Sequence, residues 1–344
     1  MFFFISTLGE NLEIKKPKWK SKSKRSKYKK MSISIMPEEK SKVNTISKWS
    51  EKKTLNTKIA EKMINVDQSA RGRRVMLCSR VLGVEKCENC GKEHVSSAKL
   101  CRDRVCPICQ WRLARKRAFE MLQCLDDMNE NGEYKYQFLT LTQKNVTIFQ
   151  LRRQLKKMSK AWNKVMSSNK KNKPAGCARV TEITYNEKEQ TFHPHMHVII
   201  AWEKGQTPYK RLEWQERWKK ALEINYTPIC RLQAIKPKKE HVKYTKAVLE
   251  TFKYSLKASD LLKMPDGLFD GFLFEISGTR ACSYTGIFRK TRQKLSLKED
   301  TKIEENDEEE TQCKNCGAEL SNSVMVWSFA SKEYKLFTGF EGRQ

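Results

Sequence analysis

The hydrophobic and polar positions of the chain change period several times, and the changes mark out elements. Residues 136–142 (YQFLTLT) alternate and are rich in β-formers, which predicts a strand. Apolar residues at helical spacing follow over 148–166, and a second alternating run covers 178–185 (ARVTEITY). The polar segment NEKEQT then leads into 192–202 (FHPHMHVIIAW), a third strand. Beyond it the pattern predicts a helix over 209–223, a strand over 230–235 and a long helix over 239–262. Residues 271–290 (GFLFEISGTRACSYTGIFRK) supply one more strand and a basic loop.

The chain has five histidines, and His193, His195 and His197 fall within five residues of the third strand. Strand side chains alternate between faces, so the three imidazoles share one side of a sheet. Imidazoles at i and i+2 can share one divalent ion. A hairpin is the economical link between 178–185 and the histidine strand. If Asn186 pairs with Thr191 across a four-residue loop, Glu182 lies opposite His195 and adds a carboxylate to the same face.

On a helix over 239–262, Val248, Leu249, Phe252 and Leu256 gather on one arc, and Lys243, Lys246, Glu250, Tyr254 and Lys257 on the other. Taken alone the second arc reads as a solvated polar stripe, although a tyrosine is an unusual choice for its centre. Tyr244, ten residues before Tyr254, points well away from it.

Composition narrows the partners. Lys and Arg outnumber Asp and Glu 69 to 40, for a formal charge of +29, and such a field favours a polyanion, most often nucleic acid. No apolar run reaches the length of a membrane span, and MFFFISTL at the N-terminus is too short for a signal-peptide core, so no membrane partner and a cytoplasmic location are expected. Residues 15–68 are dominated by Lys and Ser and predict a disordered basic arm, or a reading frame that truly begins at Met31 or Met36. Residues 299–311 (EDTKIEENDEEET) form an acidic linker ahead of a lone Cys313-x2-Cys316 knuckle, half a zinc site that either takes ligands from another chain or binds nothing.

Six of the twelve cysteines fall in CxxC pairs mixed with basic residues, an arrangement of metal sites and not of disulfides. Cys87-x2-Cys90 and Cys106-x2-Cys109 are spaced as the ligands of one structural Zn²⁺, with Cys101 and His94 as substitutes. Cys78, Cys124, Cys177, Cys230 and Cys282 stand alone and predict reduced thiols. Trp111 with Arg112, Arg115, Lys116 and Arg117 opens a basic helix suited to duplex DNA or to solvent. The boundaries that follow are a basic arm over 1–74, a zinc module over 75–125, a catalytic domain over 130–295, and an acidic linker with its CxxC tail over 296–344.

Taken together, FLTLT at 138–142, HPHMHVII at 193–200, ETFKYSLK at 250–257 and GTRACSYTGIFR at 278–289 resemble the plasmid rolling-circle replication initiators of Gram-positive bacteria, in the HUH endonuclease superfamily. The resemblance runs from about Cys87 to Lys290. It implies an α+β fold, a ferredoxin-like antiparallel sheet flanked by helices, with Mg²⁺ or Mn²⁺ held by His195, His197 and Glu182. It implies Tyr254 as the nucleophile of a YxxK pattern, Lys257 as its lysine, and Glu250 as the residue that promotes the closing step. Implied partners are the plasmid origin, as single strand or hairpin, a host helicase and polymerase, and a second copy of the chain on the origin. A relaxase or single-strand transposase shares these residues but acts on another substrate. A non-enzymatic zinc-finger regulator would explain the charge and cysteines while leaving Tyr254 without chemistry.

Overall fold

The computed structural model describes residues 45–132, 134–167, 172–235, 242–253, 255–297, 312–313 and 315–338. The expected arm up to residue 44, the Met31 and Met36 starts, the acidic linker over 299–311 and Tyr254 lie outside the described residues, as do the side chains of Lys243, Tyr244 and Lys246.

The first described element corrects the expected arm. Helix α1 (Ile46–Asn65) occupies what composition assigned to disorder, and helix α2 (Ser69–Met76) follows it. The buried stripe of α1 runs through Trp49, Lys53, Asn56, Ala60 and Met63 at helical spacing, with two polar members that hide the periodicity. Both are satisfied inside. Lys53 Nζ donates to the carbonyls of Met76 (2.5 Å) and Cys78 (2.6 Å), and Asn56 Nδ2 to Val75 O (2.9 Å).

Two antiparallel sheets follow. The smaller has the order β2-β1-β8-β9 and is built from β1 (Val81–Cys87), β2 (Glu93–Ala98), β8 (Leu320–Ser328) and β9 (Glu333–Leu336). The C-terminal segment is therefore no appended tail. Strand β8 pairs with β1 along its length, from Val81↔Val326 to Cys87↔Leu320, so the expected boundary between a zinc module and a separate C-terminus dissolves.

The larger sheet has the order β6-β3-β5-β4-β7, from β3 (Tyr134–Thr142), β4 (Gly176–Asn186), β5 (Thr191–Glu203), β6 (Cys230–Ile235) and β7 (Cys282–Thr285). The histidine strand β5 is central. Asn186↔Thr191 and Glu182↔His195 are paired, the register inferred from the loop length. The outward face of the imidazole-free positions, Leu139, Leu141, Val198, Ile200 and Trp202, packs under helices α4 (Ile148–Ser167) and α5 (Arg211–Leu222). The opposite face, through Tyr136, Val180 and Ile199, packs under α3 (Pro107–Asn131), α6 (Val242–Phe252) and α9 (Gly286–Lys294). With one layer of helices on each face, every apolar side of the sheet is covered.

Two further elements differ from the pattern. The apolar run FLFEI belongs to helix α8 (Asp266–Ile276), where Phe269, Phe272, Leu273 and Ile276 are buried at helical spacing, and the strand falls later at β7. A short apolar run does not choose between helix and strand by itself. The long helix expected over 239–262 ends at Phe252 and resumes only as the short α7 (Ala258–Lys263). Between them the chain leaves the helical path to pair with β4, since Ile183 N–H donates to Ser255 O at 3.1 Å and Leu256 bridges Ile183. Leu256 thereby leaves the core of Val248 and Phe252 for that of α1 and α8.

Strand β7 and helix α9 join at Gly286, whose φ of +55° needs a residue without Cβ. The reason is contact as much as conformation. A Cβ there would stand 2.0 Å from the Ala175 carbonyl oxygen.

Candidate metal and nucleophile site

The site grows from the central hairpin. Because β5 alternates, His195 and His197 leave its α3/α6 face two residues apart, and the β4 register sets Glu182 between them. Glu182 Oε2 is 3.0 Å from His195 Nε2 and 3.1 Å from His197 Nε2. Glu182 and His197 are buried at 2% and 4% exposure, so the point of convergence sits at the bottom of its face with little competing water.

Each imidazole is oriented from behind. His195 Nδ1 lies 3.3 Å from the His193 carbonyl, which can only accept, so Nδ1 carries the proton and Nε2 is left as a ligand atom. His197 Nδ1 meets Thr140 Oγ1 at 3.2 Å, and the ring of Phe138 stacks parallel to the imidazole at 5.9 Å. His193 shares the face but turns to Asn145 Oδ1 at 2.9 Å, and both burial and the neighbouring His195 hold its pKa below the ordinary value.

Burial acts to raise the Glu182 carboxyl, but its contacts with His195 and His197, with the nearby Lys253 charge, outweigh it and hold the group far below the usual carboxylate range. A carboxylate oxygen 3.0 and 3.1 Å from two Nε2 atoms suits a hard or borderline divalent ion. Neighbouring ligands on an octahedral ion with bonds of about 2.1 Å are about 3.0 Å apart.

The segment after α6 brings the rest. Lys253 Nζ stands 3.2 Å from Glu182 Oε2 and 2.6 Å from Glu250 Oε1. Burial would lower the ammonium, yet the bond to Glu250 and the charge of Glu182 raise it, so Lys253 is a cation at neutral pH. Ser255 Oγ donates to Gln110 Oε1 (3.0 Å) on the first turn of α3. The two residues that flank Tyr254 are thus tied to β4 and to α3. Lys257 is exposed at the start of α7 and, among the described residues, joins none of the site's hydrogen bonds. Reasoning from the sequence passed over Lys253, Gln110 and Ser255, because their roles rest on partners from distant segments, Glu182 for Lys253 and α3 for Ser255.

The cysteines gather in two groups of four and not in the one that spacing suggested. Cys106 and Cys109 meet Cys78 and Cys101, while Cys87 and Cys90 meet Cys313 and Cys316. Cys78 is therefore no lone thiol, whereas Cys124, Cys177, Cys230 and Cys282 are buried and belong to neither group. His94 substitutes for none of these, since its Nε2 pairs with Glu85 Oε2 at 3.0 Å. The start of the basic helix is likewise built in: Trp111 is buried edge-on against Trp49, and Arg112 lies over the same indole.

With this geometry in place, comparison with known proteins decides the family. A family model described as Replication protein matches residues 92–335. The chain belongs to that family. A "Protein rep" from Lactiplantibacillus plantarum is 30% identical over 319 residues, covering 86% of this chain and 98% of its own. One from Lentilactobacillus hilgardii is 28% identical over 304 residues (83% and 94%), and one from Bacillus sp is 30% identical over 249 residues (66% and 81%). No solved structure matches. The family match runs past Lys290, where the resemblance was expected to stop, and takes in the second knuckle, β8 and most of β9.

Proposed function

We propose that this replication protein is a plasmid rolling-circle initiator with an HUH endonuclease fold, and that it cuts one strand of the double-strand origin with Tyr254 as nucleophile. One observation carries the reading. Glu182, His195 and His197 converge on a single point, and Lys253, the residue before Tyr254, reaches that same carboxylate.

In this reading Glu182, His195 and His197 hold Mg²⁺ or Mn²⁺. When bound, such an ion polarises the scissile phosphate and draws charge from its oxygens. The residues of the chain do the rest. Tyr254 Oη forms a bond to the 5′ phosphorus as the bond to the 3′ oxygen breaks, leaving a 5′-phosphotyrosine and a 3′-OH that can prime synthesis by a host polymerase behind a host helicase. The phenol has an ordinary pKa of about 10 and must lose its proton; the Lys253 and Lys257 ammonium groups, on either side in sequence, favour the phenolate. Thr140 and the His193 carbonyl keep the two imidazoles aimed. The +29 charge holds the polyanion, and the second copy and the zinc of the cysteine groups complete the proposal.

Glu250 is the candidate base for closing. Its carboxylate is near the site through Lys253 and half exposed, so it can take a proton from water or from an incoming hydroxyl. Glu250→Ala is expected to nick at close to the wild-type rate but to accumulate covalent protein–DNA product after one round. Equal release of product by the variant and the wild type removes Glu250 from the closing step.

The test of the whole reading uses supercoiled plasmid carrying the gene's own origin. Nicked circles should form with Mn²⁺, cease with EDTA and return when Mn²⁺ is restored. Tight binding without nicking under any metal would leave a DNA-binding regulator in place of the endonuclease.

A further inference from the structure

The second group of four cysteines joins segments far apart in the chain. Cys87 and Cys316 lie 229 residues apart in sequence, yet their sulfurs are 3.4 Å apart, and those of Cys90 and Cys313 are 3.6 Å apart. The two contributing segments, CENCGK at 87–92 and CKNCGA at 313–318, have one backbone design. In each, the glycine after the second cysteine donates its N–H to the carbonyl of the first, Gly91 to Cys87 at 2.9 Å and Gly317 to Cys313 at 2.8 Å. In each, the first cysteine N–H donates to the sixth residue, Cys87 to Lys92 O at 2.9 Å and Cys313 to Ala318 O at 2.7 Å. Both glycines have positive φ, +65° and +74°. These are two copies of one knuckle, facing each other.

Backbone amides are aimed at two of the sulfurs, Cys90 N–H at Cys87 Sγ (3.5 Å) and Asn315 N–H at Cys313 Sγ (3.4 Å). Four sulfurs on a tetrahedral ion with bonds of about 2.3 Å are about 3.8 Å apart, close to the spacing here.

We propose that Cys87, Cys90, Cys313 and Cys316 bind one structural Zn²⁺ that clasps the C-terminal strands to β1, separately from any ion at Cys78, Cys101, Cys106 and Cys109. Binding exchanges four S–H protons for four Zn–S bonds, with no change in oxidation state. The clasp stands at the end of the β1–β8 pairing, next to Cys87↔Leu320, and so holds the strand pair whose closure spans most of the chain. Cys316 is exposed and Cys90 half-buried, whereas Cys78, Cys106 and Cys109 are buried, so the clasp is the ion that solvent reaches first.

The test is the zinc content of the full-length protein, purified reduced and without chelator. Cys313→Ser/Cys316→Ser and Cys87→Ser/Cys90→Ser should each hold one zinc per chain fewer than the wild type, and the first variant should exchange the amides of β8 faster. Wild-type zinc content in either variant, no zinc in the wild type, or iron in its place overturns the proposal. Should the variants not fold, cobalt(II) titration of the wild type decides: a thiolate-to-cobalt band lost to mild chelation in a fast step that loosens β8 supports the clasp, and loss in a single slow step contradicts it. The outcome does not depend on nicking, so failure of the clasp and failure of the endonuclease reading are separate results.

Discussion

Glu182→Gln is expected to slow origin nicking by roughly a thousandfold while DNA binding changes by less than about threefold. The amide keeps the shape of the side chain and loses its charge. With Nδ1 of His195 committed to the His193 carbonyl, both Nε2 atoms converge on Glu182 Oε2 as ligand atoms, and only an ionised oxygen completes a cation site there. The carboxyl is held ionised throughout the neutral range, so the loss should be the same at pH 6 and pH 8. Nicking measured against Mn²⁺ concentration separates two roles. A ligand lost is partly recovered at high Mn²⁺, whereas a base lost is not. Nicking within tenfold of wild type at low Mn²⁺ would remove Glu182 from the metal site.

Tyr254→Phe is expected to lose nicking by at least about a thousandfold, with binding and folding retained. The substitution removes one oxygen, the atom that would bond to phosphorus. Tyr244→Phe is the matched control and should nick like the wild type, since it lies ten residues earlier in the chain. A gel assay of supercoiled plasmid reads both variants. Loss in Tyr244→Phe, or survival in Tyr254→Phe, would move the nucleophile elsewhere.

Much of this site was legible because strand chemistry is local. Alternation placed His195 and His197 on one face, and a four-residue loop fixed the register that brings Glu182 opposite His195. What was not legible depended on distant partners. The α1 stripe reads as polar because Lys53 and Asn56 find buried carbonyls at the end of α2 and just past it, 19 to 25 residues on. The helix drawn to residue 262 breaks at Phe252 because Ser255 and Leu256 are drawn to Ile183 of β4, and no feature of 239–262 announces that strand. Spacing alone paired the nearer knuckles. The fold joined each to cysteines elsewhere, and Cys106 and Cys109 open the helix whose Gln110 accepts a hydrogen bond from Ser255, the residue after Tyr254. The first cysteine group is therefore joined to Ser255 through α3, whereas the second stands at the end of the β1–β8 pair.

The most direct measurement of the central claim is the identity of the covalently modified residue. Wild-type protein would be incubated with end-labelled single-stranded oligonucleotides tiling its own origin in Mn²⁺, denatured, digested with protease and nuclease, and the nucleotide-bearing peptide sequenced by mass spectrometry. The account predicts a 5′-phosphoryl nucleotide on Tyr254, absent in EDTA and in Glu182→Gln. A nucleotide on any other residue, or no adduct on any origin oligonucleotide that the protein binds and cuts, would contradict it.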